Sequence, residues 1–309
     1  MRKTHLILFI AVLLVLQILT LSNTAQTNHL VDLLAVLMIG VAGIPHGAID
    51  HVINKEIVNQ SRVKFYGIYL GLFAFVLLFW FFFSTVAFVL FLVLSAHHFG
   101  DTHYSDARIG GRFMFSLLKN SWGFTVILAL FYFSFNRLDF SFIGAPEIDQ
   151  LLNGIGEKNL LGALLICGGL HVALMIYSWV KKEIDGDKFK GELFLFTVIM
   201  VLFVILPPLT AFALFFLCIH ASESIEMEYF YLLKKGRVKN RKQFALLLVP
   251  FTAISLIGIA LIYMITLYSD LQIELFHFSF ATIAALTLPH SIIMATLVKQ
   301  TIKLHGSGV

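Results

Sequence analysis

Charged residues are scarce in this sequence. Only 13% of the 309 residues are Asp, Glu, Lys or Arg, against about 25% in typical soluble domains. Hydrophobic residues make up 59% of the chain, and the mean hydropathy is +0.90. A soluble fold cannot bury this much apolar surface, whereas a bilayer accepts it, because runs of about 20 apolar residues span its hydrocarbon layer. The composition therefore excludes a soluble domain and predicts an integral membrane protein.

Cysteine is also rare, and its two positions exclude a disulfide framework. Cys167 and Cys218 both lie inside apolar runs, where cysteine usually acts as a small buried hydrophobic residue. Long polar linkers and internal repeats are not apparent in the sequence. We therefore expect residues 1–309 to form a single membrane domain.

Apolar segments follow one another along the chain and predict an all-α bundle of about ten transmembrane helices. The segments are 5–22, 31–49, 65–82, 84–99, 120–136, 159–180, 191–206, 209–230, 244–268 and 276–298. Only the region of Ser84 and Thr85 separates the third segment from the fourth, which predicts a tight hairpin or one bent unit. Pro207 and Pro208 separate the seventh from the eighth, because proline ends one helix and suits the first turn of the next.

Basic residues predict the orientation of these segments. If both termini are cytoplasmic and the segments alternate in direction, all of the 22 Lys and Arg residues except Arg137 and Lys158 lie on the cytoplasmic side. Such a bias is typical of the positive-inside rule. The basic run Lys234–Lys242 then faces anionic lipid headgroups, so it requires no nucleic-acid partner.

Histidines gather on the segments that run towards the cytoplasm. The second segment is followed by His51 and contains His46, and the fourth ends in the run His97–His103. The sixth, eighth and tenth segments contribute His171, His220 and His290. Apart from His5, no segment that runs outward carries a histidine. Because the topology was assigned without the histidines, their common placement indicates a shared site.

Ionisable side chains at membrane depth are costly and usually functional. Neutral imidazole binds iron, zinc and copper, and the acidic neighbours Asp50, Asp101 and Glu223 are suited to orienting such ligands or balancing a divalent charge. Helix breakers beside the histidines are expected to open the backbone; they are Pro45, Gly47, Gly100 and Pro289.

Each histidine also has a structural interpretation. A histidine at a helix end, such as His51 or His103, is often an interfacial side chain. His97 and His98 point about 100° apart on a helix, so only one of them is expected to face the site. His171 is equally suited to hydrogen-bonding a neighbouring helix.

Four motifs in this chain resemble a known family. They are GIPHGAIDH, AHHFGD, FFLCIHAS and TLPHSIIM. In this order, between about residue 35 and residue 298, they resemble the bacteriorhodopsin-related-protein/Blh family of membrane β-carotene 15,15′-dioxygenases. The resemblance implies a ferrous iron, Fe(2+), held by histidines, which uses O₂ to split β-carotene or a related carotenoid at the central double bond into retinal. It also implies a multi-pass protein of the bacterial cytoplasmic membrane, and a retinal-binding rhodopsin as acceptor of the product.

The resemblance carries ligand roles to particular residues. The motif histidines match His46, His98 and His220, which are expected to converge on the iron as catalytic ligands. The second histidine of the family's eighth-helix motif falls on Ser224, and serine is a poor iron ligand. The fourth ligand stays open among His290, Glu223 and Ser224, with His290 favoured because it keeps an all-imidazole site. Four residues are expected to lie behind the ligands and support them: Asp50, His51, Asp101 and His103.

Two other functions use the same residue types. A membrane iron oxygenase of the desaturase or hydroxylase type needs several H-x₂₋₄-H clusters for a pair of irons, and this chain lacks clean clusters of that kind. A metal or proton transporter would place its site near the middle of the membrane on broken helices, and His171 and His220 suit that arrangement. The PHGA and HFG motifs lie towards one face, which favours the dioxygenase.

Overall fold

The computed structural model describes residues 47–105, 111–135, 146–268 and 275–306, together with the single positions 34, 35, 38, 39, 43 and 45. The regular structure of these residues is entirely helical. The helices are α1 (Asp50–Val58), α2 (Arg62–Phe82), α3 (Ser84–His103), α4 (Arg112–Ser134), α5 (Pro146–Val180), α6 (Gly186–Ile205), α7 (Pro208–Lys234), α8 (Arg241–Tyr268) and α9 (Leu275–Gly306).

Seven stretches in the described residues are long and apolar enough to cross a membrane. They are Arg62–Phe82, Ser84–His103, Arg112–Ser134, Gln150–Val180, Pro208–Lys234, Arg241–Gly258 and Ala281–Thr301. The all-helical prediction is therefore confirmed for the described residues, and these apolar helices indicate a multi-pass membrane protein. The predicted segment 191–206 lies in α6, which is not one of the seven and carries charged residues in its first two turns, among them Lys188 and Glu192. Segment 5–22 and most of segment 31–49 lie outside the described residues, so the count of ten and the orientation of the termini stay predictions.

Several helix ends coincide with the sequence signals. Helix α6 ends before Pro207, and Pro208 occupies the first turn of α7. Phe83 alone separates α2 from α3. The N-terminus of α6 is capped by Asp185, whose Oδ1 accepts a hydrogen bond of 2.7 Å from the backbone N–H of Lys188.

Gly100 was expected to break its helix, and that expectation is wrong. Helix α3 continues through Gly100 to His103. A Cβ at Gly100 would lie 2.0 Å from the carbonyl oxygen of Lys119, and a Cβ at Gly123 would lie 1.7 Å from that of Ala96. The two glycines therefore let the backbones of α3 and α4 approach closely, as small residues do between membrane helices. Pro289 likewise lies inside a continuous α9.

Two apolar cores are separated by a layer of buried polar side chains. The larger core surrounds Trp80, Trp122 and Phe203, and the smaller one surrounds Ile53 and Leu297. Helices α7 and α9 pass through both cores. Between their two apolar stretches, each helix places a buried histidine, His220 on α7 and His290 on α9. The candidate site therefore occupies the boundary between the cores.

Candidate metal centre

Three histidines from three helices meet at this boundary. His98 of α3, His220 of α7 and His290 of α9 are 4%, 2% and 6% exposed. The ring centroid of His98 lies 4.8 Å from that of His220 and 5.1 Å from that of His290, and both contacts are edge-on. His98 is thus in direct ring contact with two histidines that lie more than 120 residues away in the sequence. We call these three residues the histidine cluster.

Two of the helices that carry the histidine cluster lack regular α-helical hydrogen bonding beside it. His220 lies in a π-helical turn, Phe216–Ala221, inserted between the α-helical parts Pro208–Phe215 and Ser222–Lys234. Wide turns of this kind often occur at functional sites. Pro289, directly before His290, lacks an N–H and leaves one backbone carbonyl of α9 without its helical donor. The missing N–H of Pro289 is evident from the sequence, whereas nothing in it signals the π turn.

A carboxylate behind His290 fixes that ring. Nδ1 of His290 lies 3.0 Å and 3.1 Å from the two carboxylate oxygens of Asp50, which is itself 3% exposed. The phenol of Tyr69 donates a second hydrogen bond to Asp50 Oδ2, at 3.0 Å. An ionised carboxylate only accepts hydrogen bonds, so Nδ1 of His290 is the donor, and in the neutral imidazole Nε2 then carries the lone pair. This is the form of histidine that metals bind.

The PHG motif lies beside the same ring. His46 is outside the described residues, but its neighbour Gly47 is described, and a Cβ on Gly47 would lie 3.6 Å from Nδ1 of His290. Within the described ranges, no group of three or more His, Cys, Asp or Glu side chains is arranged to hold a metal ion. The predicted convergence of His46, His98 and His220 on one point therefore stays a prediction.

Phenylalanines enclose the histidine cluster on one side. The ring of Phe99 lies 4.6 Å from that of His220, and the ring of Phe216 lies 5.4 Å from it. Phe212 and Phe215 continue this aromatic surface, with centroids 6.3 Å and 5.4 Å from Phe99. The imidazoles thus border an apolar wall, which suits an apolar ligand and excludes water.

His103 lies in a different group. Its Nε2 is 2.7 Å from Glu192 of α6, and its Nδ1 is 3.2 Å from Glu223 of α7. The ring stacks on Trp122 of α4, with 4.2 Å between centroids and 15° between planes. Because both ring nitrogens face carboxylates, His103 joins three helices by charge-assisted hydrogen bonds. We call this group the His103 triad, formed by His103, Glu192 and Glu223.

The structure places His97 and His98 on different sides of α3, as their spacing predicts. The side chain of His97 is 47% exposed and lies 3.3 Å from Asp101. Nδ1 of His97 contacts Oδ1 of Asn120 at 2.9 Å, and Asp101 is ion-paired with Lys119. His97 and Asp101 therefore connect α3 to α4, away from the histidine cluster.

The other proposed residues occupy separate positions. His51 packs against Phe251 at 4.4 Å and Tyr66 at 6.1 Å. His171 contacts the hydroxyl groups of Tyr104 and Ser121, each at 3.4 Å, which matches its structural interpretation. Ser224 and Glu228 follow His220 on α7 and are fully buried, and neither side chain has a hydrogen-bond partner among the described residues.

Two supporting residues were missed by the sequence analysis. Glu192 is the only charged residue in the apolar segment 191–206, and a lone acid in such a run is a signal of function or pairing. Tyr69 has no such signal, because a tyrosine in an apolar helix is ordinary. Its role becomes visible only from its contact with Asp50.

Comparison with known proteins gives one match. The sequence model of a family described as beta-carotene 15,15'-dioxygenase matches residues 36–298. The matched range contains the histidine cluster, the His103 triad and the PHG motif. Searches of curated proteins and of solved structures found no match.

Proposed function

Because the chain belongs to the beta-carotene 15,15'-dioxygenase family, we propose that it cleaves β-carotene, or a closely related carotenoid, at the central double bond. The reaction consumes one O₂ and gives two retinal molecules, so each oxygen atom ends in one aldehyde group. The observation that carries this proposal is the contact of His98, His220 and His290 inside the matched range. The reacting double bond would lie beside this cluster.

The donor set suits ferrous iron. Two imidazoles that bind one metal at about 2.0–2.1 Å have ring centroids roughly 4.5–5.2 Å apart at ordinary coordination angles. The centroid separations in the histidine cluster, 4.8 Å and 5.1 Å, fall in that range. Since the side chains are not arranged to hold a metal as they stand, iron binding would turn the rings while leaving their positions nearly unchanged. His46 is proposed as the fourth ligand from its motif and from the position of Gly47 beside His290.

Iron bound here would supply the activation of O₂, which zinc cannot provide. The residues around it would perform three tasks. Asp50 holds the proton of His290 on Nδ1 and so keeps Nε2 available as a ligand atom. Phe99 and Phe216 exclude water and contact the polyene. Glu223 is proposed as a member of the His103 triad and not as a ligand.

The lipid bilayer is proposed as the source of the substrate. β-Carotene is a long apolar rod that partitions into the hydrocarbon layer, so a lateral opening between helices would admit it. Retinal would leave through the same hydrocarbon layer and reach a retinal-binding rhodopsin, the proposed acceptor. The proposed location is the bacterial inner (cytoplasmic) membrane, with both termini in the cytoplasm.

The test is expression in a bacterial host that accumulates β-carotene. The wild-type protein should bleach the orange colour and produce retinal, in a manner that depends on iron and O₂. His98→Ala should abolish retinal formation without loss of membrane insertion, whereas His97→Ala, the matched control on the same helix, should retain it. Persistent colour with well-inserted wild-type protein would contradict the assignment of β-carotene as substrate.

A further inference from the structure

We propose that Tyr69 is a positioning residue that, through Asp50, sets the tautomer of His290. The inference rests on the proposed function, because the tautomer matters only if Nε2 of His290 binds a metal. Tyr69 lies on α2, whose only fully buried side chains are Phe65 and Trp80. Its hydroxyl group contacts Asp50, which in turn contacts His290 of the histidine cluster.

The hydrogen bonds form a chain of defined direction. The Tyr69 hydroxyl donates to Oδ2 of Asp50 at 3.0 Å, and Nδ1–H of His290 donates to the same carboxylate at 3.0 Å and 3.1 Å. The carboxylate has no hydrogen to donate, so both partners must be donors. A neutral imidazole that donates from Nδ1 has its lone pair on Nε2. Tyr69 also restrains rotation of the carboxylate, which keeps an oxygen facing His290.

Replacement of Asp50 by asparagine makes the influence of Tyr69 visible. An amide has one oxygen and one NH₂ group. If the Tyr69 hydroxyl donates to the amide oxygen, the NH₂ group faces Nδ1 of His290, and the imidazole proton moves to Nε2. In this arrangement the Tyr69 hydroxyl and the amide NH₂ group both have acceptors, whereas the reverse amide orientation leaves the tyrosine hydroxyl without one. Because a buried donor without an acceptor is costly, Tyr69 favours the amide orientation that goes with the Nε2–H tautomer in Asp50→Asn.

Removal of the tyrosine hydroxyl should then reverse the defect. In the double variant Asp50→Asn/Tyr69→Phe, no hydroxyl group holds the amide oxygen. The amide is free to turn that oxygen towards Nδ1–H of His290, and Nε2 regains its lone pair. The same Tyr69→Phe change therefore weakens metal binding when residue 50 is Asp and strengthens it when residue 50 is Asn. A merely structural role of Tyr69 predicts harm in both backgrounds.

The experiment measures Co²⁺ binding to the full chain in detergent micelles by optical titration. Asp50→Asn should raise the Co²⁺ dissociation constant by about 10–100-fold, the usual range for residues behind a metal ligand. Tyr69→Phe alone should raise it less than about 10-fold. The double variant should bind more tightly than Asp50→Asn. Tyr66→Phe is the matched control, because Tyr66 lies on the same helix, 40% exposed, and stacks on His51; it should bind as the wild type does.

A second measurement reads the tautomer without metal. Nitrogen-15 NMR of the imidazole side chains should show the Nδ1–H form of His290 in the wild type and the Nε2–H form in Asp50→Asn, with Nδ1–H regained in the double variant. If Asp50→Asn fails to fold, the Nδ1–H signal of His290 in Tyr69→Phe must report a weaker hydrogen bond to Asp50 than in the wild type, because the carboxylate is then less restrained. Two results would overturn the inference even if retinal is produced. One is additive effects of Asp50→Asn and Tyr69→Phe on Co²⁺ binding, and the other is a His290 tautomer that is the same with and without the Tyr69 hydroxyl. The reverse result, a tautomer that follows Tyr69 in a protein that makes no retinal, would reject only the proposed function.

Discussion

His98 and His103 lie on the same helix, five residues apart, and both are buried. The ring of His98 contacts two other imidazoles, His220 and His290. The ring of His103 lies between two carboxylates, Glu192 and Glu223, on top of Trp122. Both histidines lie on the same helix and both are buried, so only the side chains that their rings contact distinguish them.

The difference lies in what each ring nitrogen faces. When carboxylates accept from both nitrogens, as at His103, the imidazole carries two protons and has no lone pair for a metal. It then acts as a cation that joins α3 to α6 and α7. In the histidine cluster, Nδ1 of His290 contacts the carboxylate of Asp50, so a neutral imidazole there has its lone pair on Nε2. Burial therefore does not distinguish His103 from the histidine cluster, whereas the carboxylates around each ring do.

The largest expected effect separates these two histidines directly. His98→Ala should remove most bound iron and all retinal formation, because it deletes a proposed ligand. His103→Ala should retain iron, yet lower the free energy of unfolding by about 3 kcal/mol, since it leaves two partly buried carboxylates without their cation. Iron per protein and thermal unfolding in detergent measure the two effects. Loss of iron in His103→Ala with an intact fold would break the distinction.

The next effect compares two candidate ligands. His290→Ala should lower the bound iron strongly, whereas Glu223→Gln should leave it unchanged, because Glu223 contacts His103. Metal analysis of the purified variants decides between them. If only Glu223→Gln loses iron, Glu223 takes the place of His290. Full occupancy in both variants would show that the fourth position, beside His46, His98 and His220, holds water or is open.

A smaller effect concerns the helix contact behind both groups. Gly123→Ala would place a methyl group 1.7 Å from the carbonyl oxygen of Ala96, so α3 must move away from α4. We expect a loss of about 1–3 kcal/mol in stability. Gly71→Ala on α2 is the matched control, because its added Cβ meets nothing within 4 Å. It should be neutral or slightly stabilising, and equal melting temperatures of the two variants would contradict the close contact.

The smallest effect concerns His51, which lies apart from both groups. Burial, followed by the positive charge of Arg62, lowers the pKa of His51 below its ordinary value of 6.5, and Asp50 only partly opposes this. The native state therefore binds fewer protons at His51 than the unfolded state does. The stabilisation by neutral His51 is present above about pH 6.5 and is lost as the pH falls through the native pKa. His51→Gln should thus lose less stability than the wild type on acidification, with unchanged iron.

Most of the fold follows from the sequence, since runs of apolar residues specify the membrane helices and Pro208 marks the start of α7. The 100° step between His97 and His98 also predicts that only one of them faces the interior. The contact between Asp50 and His290 could not be foreseen, because 240 residues separate them and both faces of a membrane helix are apolar. Hydrophobic periodicity therefore does not report how such helices are rotated. Gly100 was wrongly expected to break its helix, because the sequence does not show that the backbone of Lys119 packs against it.

The π turn Phe216–Ala221 constrains how the length of this protein can vary. A π turn holds one residue more than an α-helical turn of the same span. Loss of one residue there would leave a regular helix with its backbone bonds complete, so the fold would survive. Every side chain on one side of the deletion would, however, rotate by about 100° relative to the other. A relative shortened by that residue would keep the bundle and the spacing of its motifs almost intact, and would present a different side chain where His220 now meets His98.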